Sequence, residues 1–160
     1  MQYFSIYESP LGEILLLSDG VALTGLDFAG HWPQCERTLA QFPVFDKVQA
    51  WLDAYFRGDD PQITFPIDPK GTPFQKIVWE ILLTIPKGQT RSYGAIARET
   101  AVRMGKEKMS SQAVGQAVGH NPISIIIPCH RVVGAKGQLT GYASGLEKKI
   151  WLLKHEEVLP

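Results

Sequence analysis

The chain has 160 residues, 44% of them hydrophobic and 20% charged, with 16 basic against 16 acidic side chains. That length can bury a core in one domain or two small ones, the composition is that of a globular rather than a disordered chain, and no apolar run is long enough to cross a bilayer. The neutral total argues on its face against nucleic acid but hides a split: residues 1–69 hold 3 basic and 10 acidic side chains, net −7, and residues 70–160 hold 13 and 6, net +7. Such asymmetry points to a nucleic-acid-binding second half, with chance scatter between two domains as the plain alternative. The start, Met1-Gln2-Tyr3-Phe4, lacks the basic and apolar segments of a signal peptide. Cys35 and Cys129 form no Cys-x-x-Cys pair and are too few for a disulfide scaffold or a zinc site, so the expected compartment is the cytoplasm.

In chain order, residues 3–28 read as an antiparallel meander. Phe4 to Tyr7 alternates, Ser9-Pro10-Leu11-Gly12 turns, Glu13 to Ser18 is apolar, Ser18-Asp19-Gly20 turns again, and Val21 to Phe28 forms a third strand. Gln34 to Phe42 reads as a short helix stopped by Pro43. Phe45, Val48, Trp51, Leu52, Tyr55 and Phe56 recur at helical spacing up to Gly58. Nothing in this half carries a chemical motif, and His31 and Cys35 read as structural or surface residues. The loop Asp68-Pro69-Lys70-Gly71 is the expected boundary, giving domains 1–69 and 70–160.

The second half reads as mostly helical. Thr72 caps a helix opened by Pro73, with Phe74, Ile77, Val78, Ile81, Leu82 and Ile85 as its buried stripe and Trp79 as a further core candidate. Ser92 caps a helix from Tyr93 to about Thr100. A basic loop with Arg103, Lys106 and Lys108 leads to Ser110-Ser111, which caps a helix from Gln112 to about His120. Two short helices joined by a turn suggest helix-turn-helix geometry. The second is nearly bare, with Ala113, Gly115, Ala117 and Gly119. Each interior glycine costs about 1 kcal/mol, so close approach is expected, either to a partner or to a neighbouring helix. Leu146 to Glu156 reads as the last helix.

One run carries chemistry: Ile125-Ile126-Ile127-Pro128-Cys129-His130-Arg131-Val132-Val133. Its β-branched residues predict a short buried strand, which Pro128 ends. Cys129 then stands at the strand end beside two potential cations, and a cation favours the nucleophilic thiolate. A lone cysteine among isoleucines is otherwise a small core hydrophobe.

Ile-Pro-Cys-His-Arg-Val-Val resembles the active-site signature of the O6-alkylguanine-DNA alkyltransferases, the methylated-DNA–protein-cysteine methyltransferases. The resemblance extends to Gly71-Thr72-Pro73-Phe74-Gln75, Ile85-Pro86-Lys87-Gly88, Ser92-Tyr93-Gly94, Asn121-Pro122, Gly141-Tyr142 and Trp151-Leu152-Leu153. It implies an α+β fold: a small N-terminal antiparallel sheet with helices (ribonuclease H-like), then a mostly helical winged-helix/helix-turn-helix domain. It implies a cytoplasmic monomer that takes an alkyl group from O6-alkylguanine, and from O4-alkylthymine, in double-stranded DNA onto its own cysteine, once per molecule and without metal or cofactor. The bare helix is implied to enter the minor groove, with the damaged nucleotide flipped out.

The resemblance also implies roles. Cys129 is the nucleophile, His130 its base through water, Glu156 the group that orients His130, Asn121 the turn residue behind the active-site strand, and Tyr93 the donor to guanine. Tyr142, Ala143, Val132 and Lys149 form or support the alkyl pocket. Gln112, Ala113, Gly115, Ser92, Gln75 and Arg131 are expected on DNA. Where the family often has an intercalating arginine, this chain has Gln112, which lacks the charge and the stacking plane. The loop 101–109 reads as longer than usual. Two other readings compete. A non-enzymatic reader of alkylated DNA would lack the cysteine, which relatives of that kind usually replace with tryptophan. A thiol hydrolase or redox protein would need an oxyanion loop or a second cysteine.

Overall fold

The structure is a computed structural model that describes residues 2–32 and 37–160. The chain divides into two compact units, one ending at Lys70 and the other beginning at Gly71.

The first unit is a four-stranded sheet in the order β3-β2-β1-β4, with β1 Gln2–Ser9, β2 Gly12–Ser18, β3 Leu23–Phe28 and β4 Arg37–Leu39. β1 and β2 are antiparallel from Ser9↔Gly12 to Tyr3↔Ser18, with Gly12 at φ 98° in the turn. β2 is central, and its successive residues Ile14, Leu15 and Leu16 are all buried, so both its faces are covered. Helix α1 (Pro43–Arg57) contributes Val44, Phe45, Val48, Leu52 and Tyr55 to this core. β3 begins at Leu23 rather than Val21, because the N–H groups of Val21 and Ala22 both donate to Asp19 Oδ1 at 2.9 Å and leave the ladder.

The helix expected over Gln34–Phe42 is corrected. Arg37–Leu39 is an edge strand parallel to Gln2, Tyr3 and Phe4, and residues 34–36 lie outside the described residues. The local apolar spacing is overridden by pairing to an open sheet edge. The Arg37 guanidinium lies 5.6 Å from the Phe4 ring centroid and 5.9 Å from that of Trp32, which adds cation–π attraction on the strand side.

The second unit packs α2 (Pro73–Leu82), α3 (Tyr93–Arg103) and α4 (Ser111–Gly119) together, followed by α5 (Leu146–His155). Each of the three starts as its capping residue dictates. Thr72 closes a capping box with Gln75, Ser92 accepts from Ala95 N at 3.0 Å, and Ser110 accepts from Ala113 N at 3.2 Å. Each such cap contributes about 1 kcal/mol. The Trp79 indole is buried and donates to Ala117 O at 2.8 Å, which ties α2 to α4. A two-residue parallel ladder pairs β5 (Arg91–Ser92) with β6 (Val132–Val133) and joins the start of α3 to the active-site run. The α+β class expected from sequence holds. The basic loop is shorter than expected, because α3 continues to Arg103, whose guanidinium pairs with Glu99 at 2.7 Å. Among the described residues, no helix is long and apolar enough to cross a membrane.

Candidate active site

The buried run does not form the expected strand. Residues 124–127 turn instead, with Ile125 in the left-handed region at φ 69°. The cause is Asn121. Its side-chain amide donates to Ile127 O at 2.8 Å and to Ile123 O at 3.3 Å, and its Oδ1 accepts from Ile123 N at 3.0 Å. One side chain thus supplies the bonds that a neighbouring strand would have made. The three isoleucines remain buried, so burial is satisfied although the backbone bends. A positive φ on a β-branched residue costs of order 1–3 kcal/mol, which the amide contacts and the packing offset. Pro128 follows, and Cys129–Arg131 forms one 3₁₀ turn leading into β6.

Cys129 is thereby held at the wall of a cavity of about 390 Å³, a size within the ordinary range of small-molecule sites (about 300–1,000 Å³). Tyr93, Gly115, Asn121, Tyr142 and Ala143, all singled out from sequence, line it with the thiol. Gly119 of the bare helix lines it too, and two polar positions there were not foreseen: Ser124 and Ser144. Ser124 had a visible signal, a lone hydroxyl inside the apolar run Pro122–Ile127. Gly115 and Gly119 are not demanded by packing inside the unit. A Cβ on Gly115 would come no closer than 3.9 Å to Tyr93, and one on Gly119 would meet no described atom within 4 Å. Gly115 and Gly119 therefore face the cavity, while Ala117 on the same helix is buried beside α2.

Behind the sulfur lies a closed polar cluster. His130 is fully buried, Glu156 is 2% exposed, and His130 Nε2 is 2.7 Å from Glu156 Oε2. Burial alone would push the Glu156 carboxyl up, but the hydrogen bond from His130 and the bonds and charge of Arg131 outweigh it and hold the group well below the usual carboxylate range. Glu156 is thus ionised and can only accept, so Nε2 carries the proton and Nδ1 holds the lone pair. Burial pushes the His130 pKa down, against the pull of Glu156 and with smaller downward effects of Arg131 and Lys149. The ring is neutral near pH 7 and able to take a proton at Nδ1.

The thiol behaves differently from the sequence expectation. Burial pushes the Cys129 pKa up, offset in part by hydrogen bonds from the Asn121 and Tyr142 side chains and by the charge of Lys149. The resting group is a thiol, and a base is needed to make it a nucleophile. Lys149 is fully buried, with Nζ 2.6 Å from Val132 O and 2.9 Å from Thr140 O, and 6.0 Å from the Tyr93 ring centroid. It ties Val132 to Thr140. Val132 is likewise fully buried and is not among the lining residues.

Of the residues expected on DNA, Gln112 is exposed on the first turn of α4, with Ala113 and Gly115 half-buried on the same helix. Ser92 and Gln75 serve as caps of α3 and α2. Arg131 is corrected. It is 9% exposed and turned inward, with Nε 2.8 Å from Glu156 Oε1, Nη2 3.1 Å from Glu156 Oε2 and Nη1 2.6 Å from Ile85 O. Its donors are committed inside the unit, so it is not placed to reach a phosphate. Among the described residues, no group of three or more His, Cys, Asp or Glu side chains is arranged to hold a metal ion.

Comparison with known proteins agrees along the whole chain. Residues 2–69 match the family model described as the ribonuclease-like domain of 6-O-methylguanine DNA methyltransferase, and residues 73–158 match its DNA binding domain. The methylated-DNA–protein-cysteine methyltransferase of Methanosarcina acetivorans is 45% identical over 157 residues, spanning 96% of this chain and 97% of the relative. That of Mycobacterium leprae is 42% identical over 152 residues, spanning 94% and 89%. The crystal structure of Mycobacterium tuberculosis OGT in complex with DNA superposes with a TM-score of 0.86 at 40% identity, covering 99% of this chain and 95% of that one.

Proposed function

The chain belongs to the 6-O-methylguanine DNA methyltransferase family, and we propose that it repairs DNA by direct reversal, moving the alkyl group of O6-alkylguanine, and of O4-alkylthymine, onto Cys129 in a single turnover. It binds double-stranded DNA through the minor groove with α4, and the damaged nucleotide is flipped into the cavity, because a stacked base is out of reach of the sulfur. Gln112, exposed at the start of α4, fills the gap left in the stack. The reduced thiol fits the cytoplasm.

In the reaction His130, held by Glu156, takes the Cys129 proton by way of a water molecule. The sulfur attacks the alkyl carbon, a C–S bond forms and the C–O6 bond breaks, with its electron pair leaving on the base. Tyr93, whose hydroxyl stays protonated because burial pushes its pKa up, donates to guanine and favours its departure. The proton parked on His130 returns to the base, so neutral guanine and a thioether remain. Sulfur and the alkylated base are the sole reactants, and the transfer balances without a cofactor. A thioether is not hydrolysed, which ends the cycle after one event.

The observation that carries this reading is the placement of the Cys129 thiol at the wall of a cavity, with a neutral imidazole and an ionised carboxylate sealed behind it. Incubation with duplex DNA carrying a radiolabelled O6-methyl group tests it. Label should pass to the protein up to one equivalent per chain and stop. Label left on the DNA, or released as free methanol, would overturn it.

A further inference from the structure

We propose that Arg131 is a positioning residue of the alkyl-transfer site, whose guanidinium clamps Glu156 and thereby keeps His130 in the neutral, proton-accepting form; this rests on the reaction proposed above. The clamp is geometric first. Two guanidinium N–H groups, Nε and Nη2, meet the two carboxylate oxygens at 2.8 and 3.1 Å, the planar forked pairing that only arginine can make. The third contact, Nη1 to Ile85 O at 2.6 Å, anchors the fork to the segment that follows α2. Oε2 is then left at one orientation, 2.7 Å from His130 Nε2.

Electrostatics explains why such a clamp is needed. Glu156 is the C-cap of α5, where exposed carbonyls make the helix end negative and disfavour a carboxylate. A buried carboxylate there needs a cation. If His130 were the sole counter-charge, Glu156 would be stabilised by keeping the ring protonated, and a protonated ring cannot accept from a thiol. Arg131 supplies the cation permanently and frees the imidazole to remain neutral. The charged groups acting on the His130 ring are Glu156 from the end of α5, Arg131 from the same 3₁₀ turn, and Lys149 from within α5. Glu156 favours protonation and both cations oppose it, so removing Arg131 must raise the affinity of the ring for its proton.

The test is the rate of methyl transfer from an O6-methylguanine duplex, measured from pH 5 to pH 9 for the full chain, for Arg131→Met and for Arg131→Lys. The acid limb should move to higher pH in Arg131→Met, so that the variant loses rate relative to the parent most strongly at the acid end of the range. Arg131→Lys should restore the limb, because it keeps the charge, while losing rate at every pH, because it loses the fork. A uniform fall across all pH values with no displaced limb would mean that Arg131 only supports the fold, and the proposal would be overturned. Should Arg131→Met not fold, the Nδ1 and Nε2 chemical shifts of His130 in Arg131→Lys decide: a ring neutral at pH 7 supports the clamp and a protonated ring contradicts it. Transfer by the parent chain in the same assay separates the two claims, because without it the reaction itself is at fault.

Discussion

His130 Nε2 and Glu156 Oε2 are 2.7 Å apart inside a cluster closed to solvent, one on the turn that carries Cys129 and the other at the end of α5. The contact fixes the tautomer of the imidazole, and with it the nitrogen that is free to act. Glu156→Gln removes the charge and makes the tautomer ambiguous. The methyl-transfer rate should fall by about 10²–10⁴, the usual contribution of a positioned base. Stability should fall by about 3–5 kcal/mol, because Arg131 is left as a buried charge without its carboxylate. Single-turnover kinetics and urea denaturation measure the two losses separately.

The same cluster predicts how stability depends on pH. Burial lowers the His130 pKa from its ordinary 6.5. Below that value the unfolded chain binds a proton that the folded one does not, so stability declines as the pH drops through about 6.5. Glu156, whose folded pKa is depressed from 4.5, contributes stability that is present above pH 4.5 and is lost as the pH falls further. Thermal unfolding between pH 8 and pH 2 should therefore show Tm falling in two stages. His130→Gln should flatten the upper stage and shrink the lower one to the part that Arg131 sustains.

Asn121 holds the turn of residues 123–127 by three side-chain hydrogen bonds and also reaches the thiol. Asn121→Ala leaves the buried Ile123 N–H and Ile127 carbonyl without those partners. The Ile127 carbonyl keeps its bond from Cys129 N at 2.8 Å, so a stability loss of about 1–3 kcal/mol follows from the Ile123 N–H, together with slower transfer, since the sulfur loses its support. Differential scanning calorimetry and the repair rate should change together.

Gln112 stands exposed at the start of α4 and has no part in the catalytic cluster. If it fills the space of the flipped base, Gln112→Ala should slow repair of a duplex by roughly tenfold, the equivalent of about 1.4 kcal/mol. Repair of single-stranded DNA or of free O6-benzylguanine should be unchanged. Equal rates on the duplex for parent and variant would remove Gln112 from the role.

The parts legible in the sequence were those set by local chemistry. Thr72, Ser92 and Ser110 announced three helix starts because a hydroxyl before an apolar stripe has one favoured use, and the structure shows all three as caps. The thiol, imidazole and carboxylate were legible as types. Their states were not, because the rise in the thiol pKa comes from burial that no single-residue pattern reports. Two backbone readings failed for one reason. Arg37–Leu39 and Ile125–Ile127 each carry a strong local pattern, and each takes its conformation from a distant partner: an open strand edge in the first case, one amide side chain in the second. Arg131 was expected on DNA because nothing nearby in sequence reveals a glutamate 25 positions away.

Transfer onto Cys129 leaves the alkyl group on that sulfur and on no other atom of the protein. Full-chain protein mixed with an O6-methylguanine duplex, digested and sequenced by tandem mass spectrometry, addresses it directly. One methyl per molecule is expected, confined to the peptide holding Cys129 and absent in Cys129→Ser. A methyl on any other residue, or restored guanine with an unmodified Cys129, would contradict it.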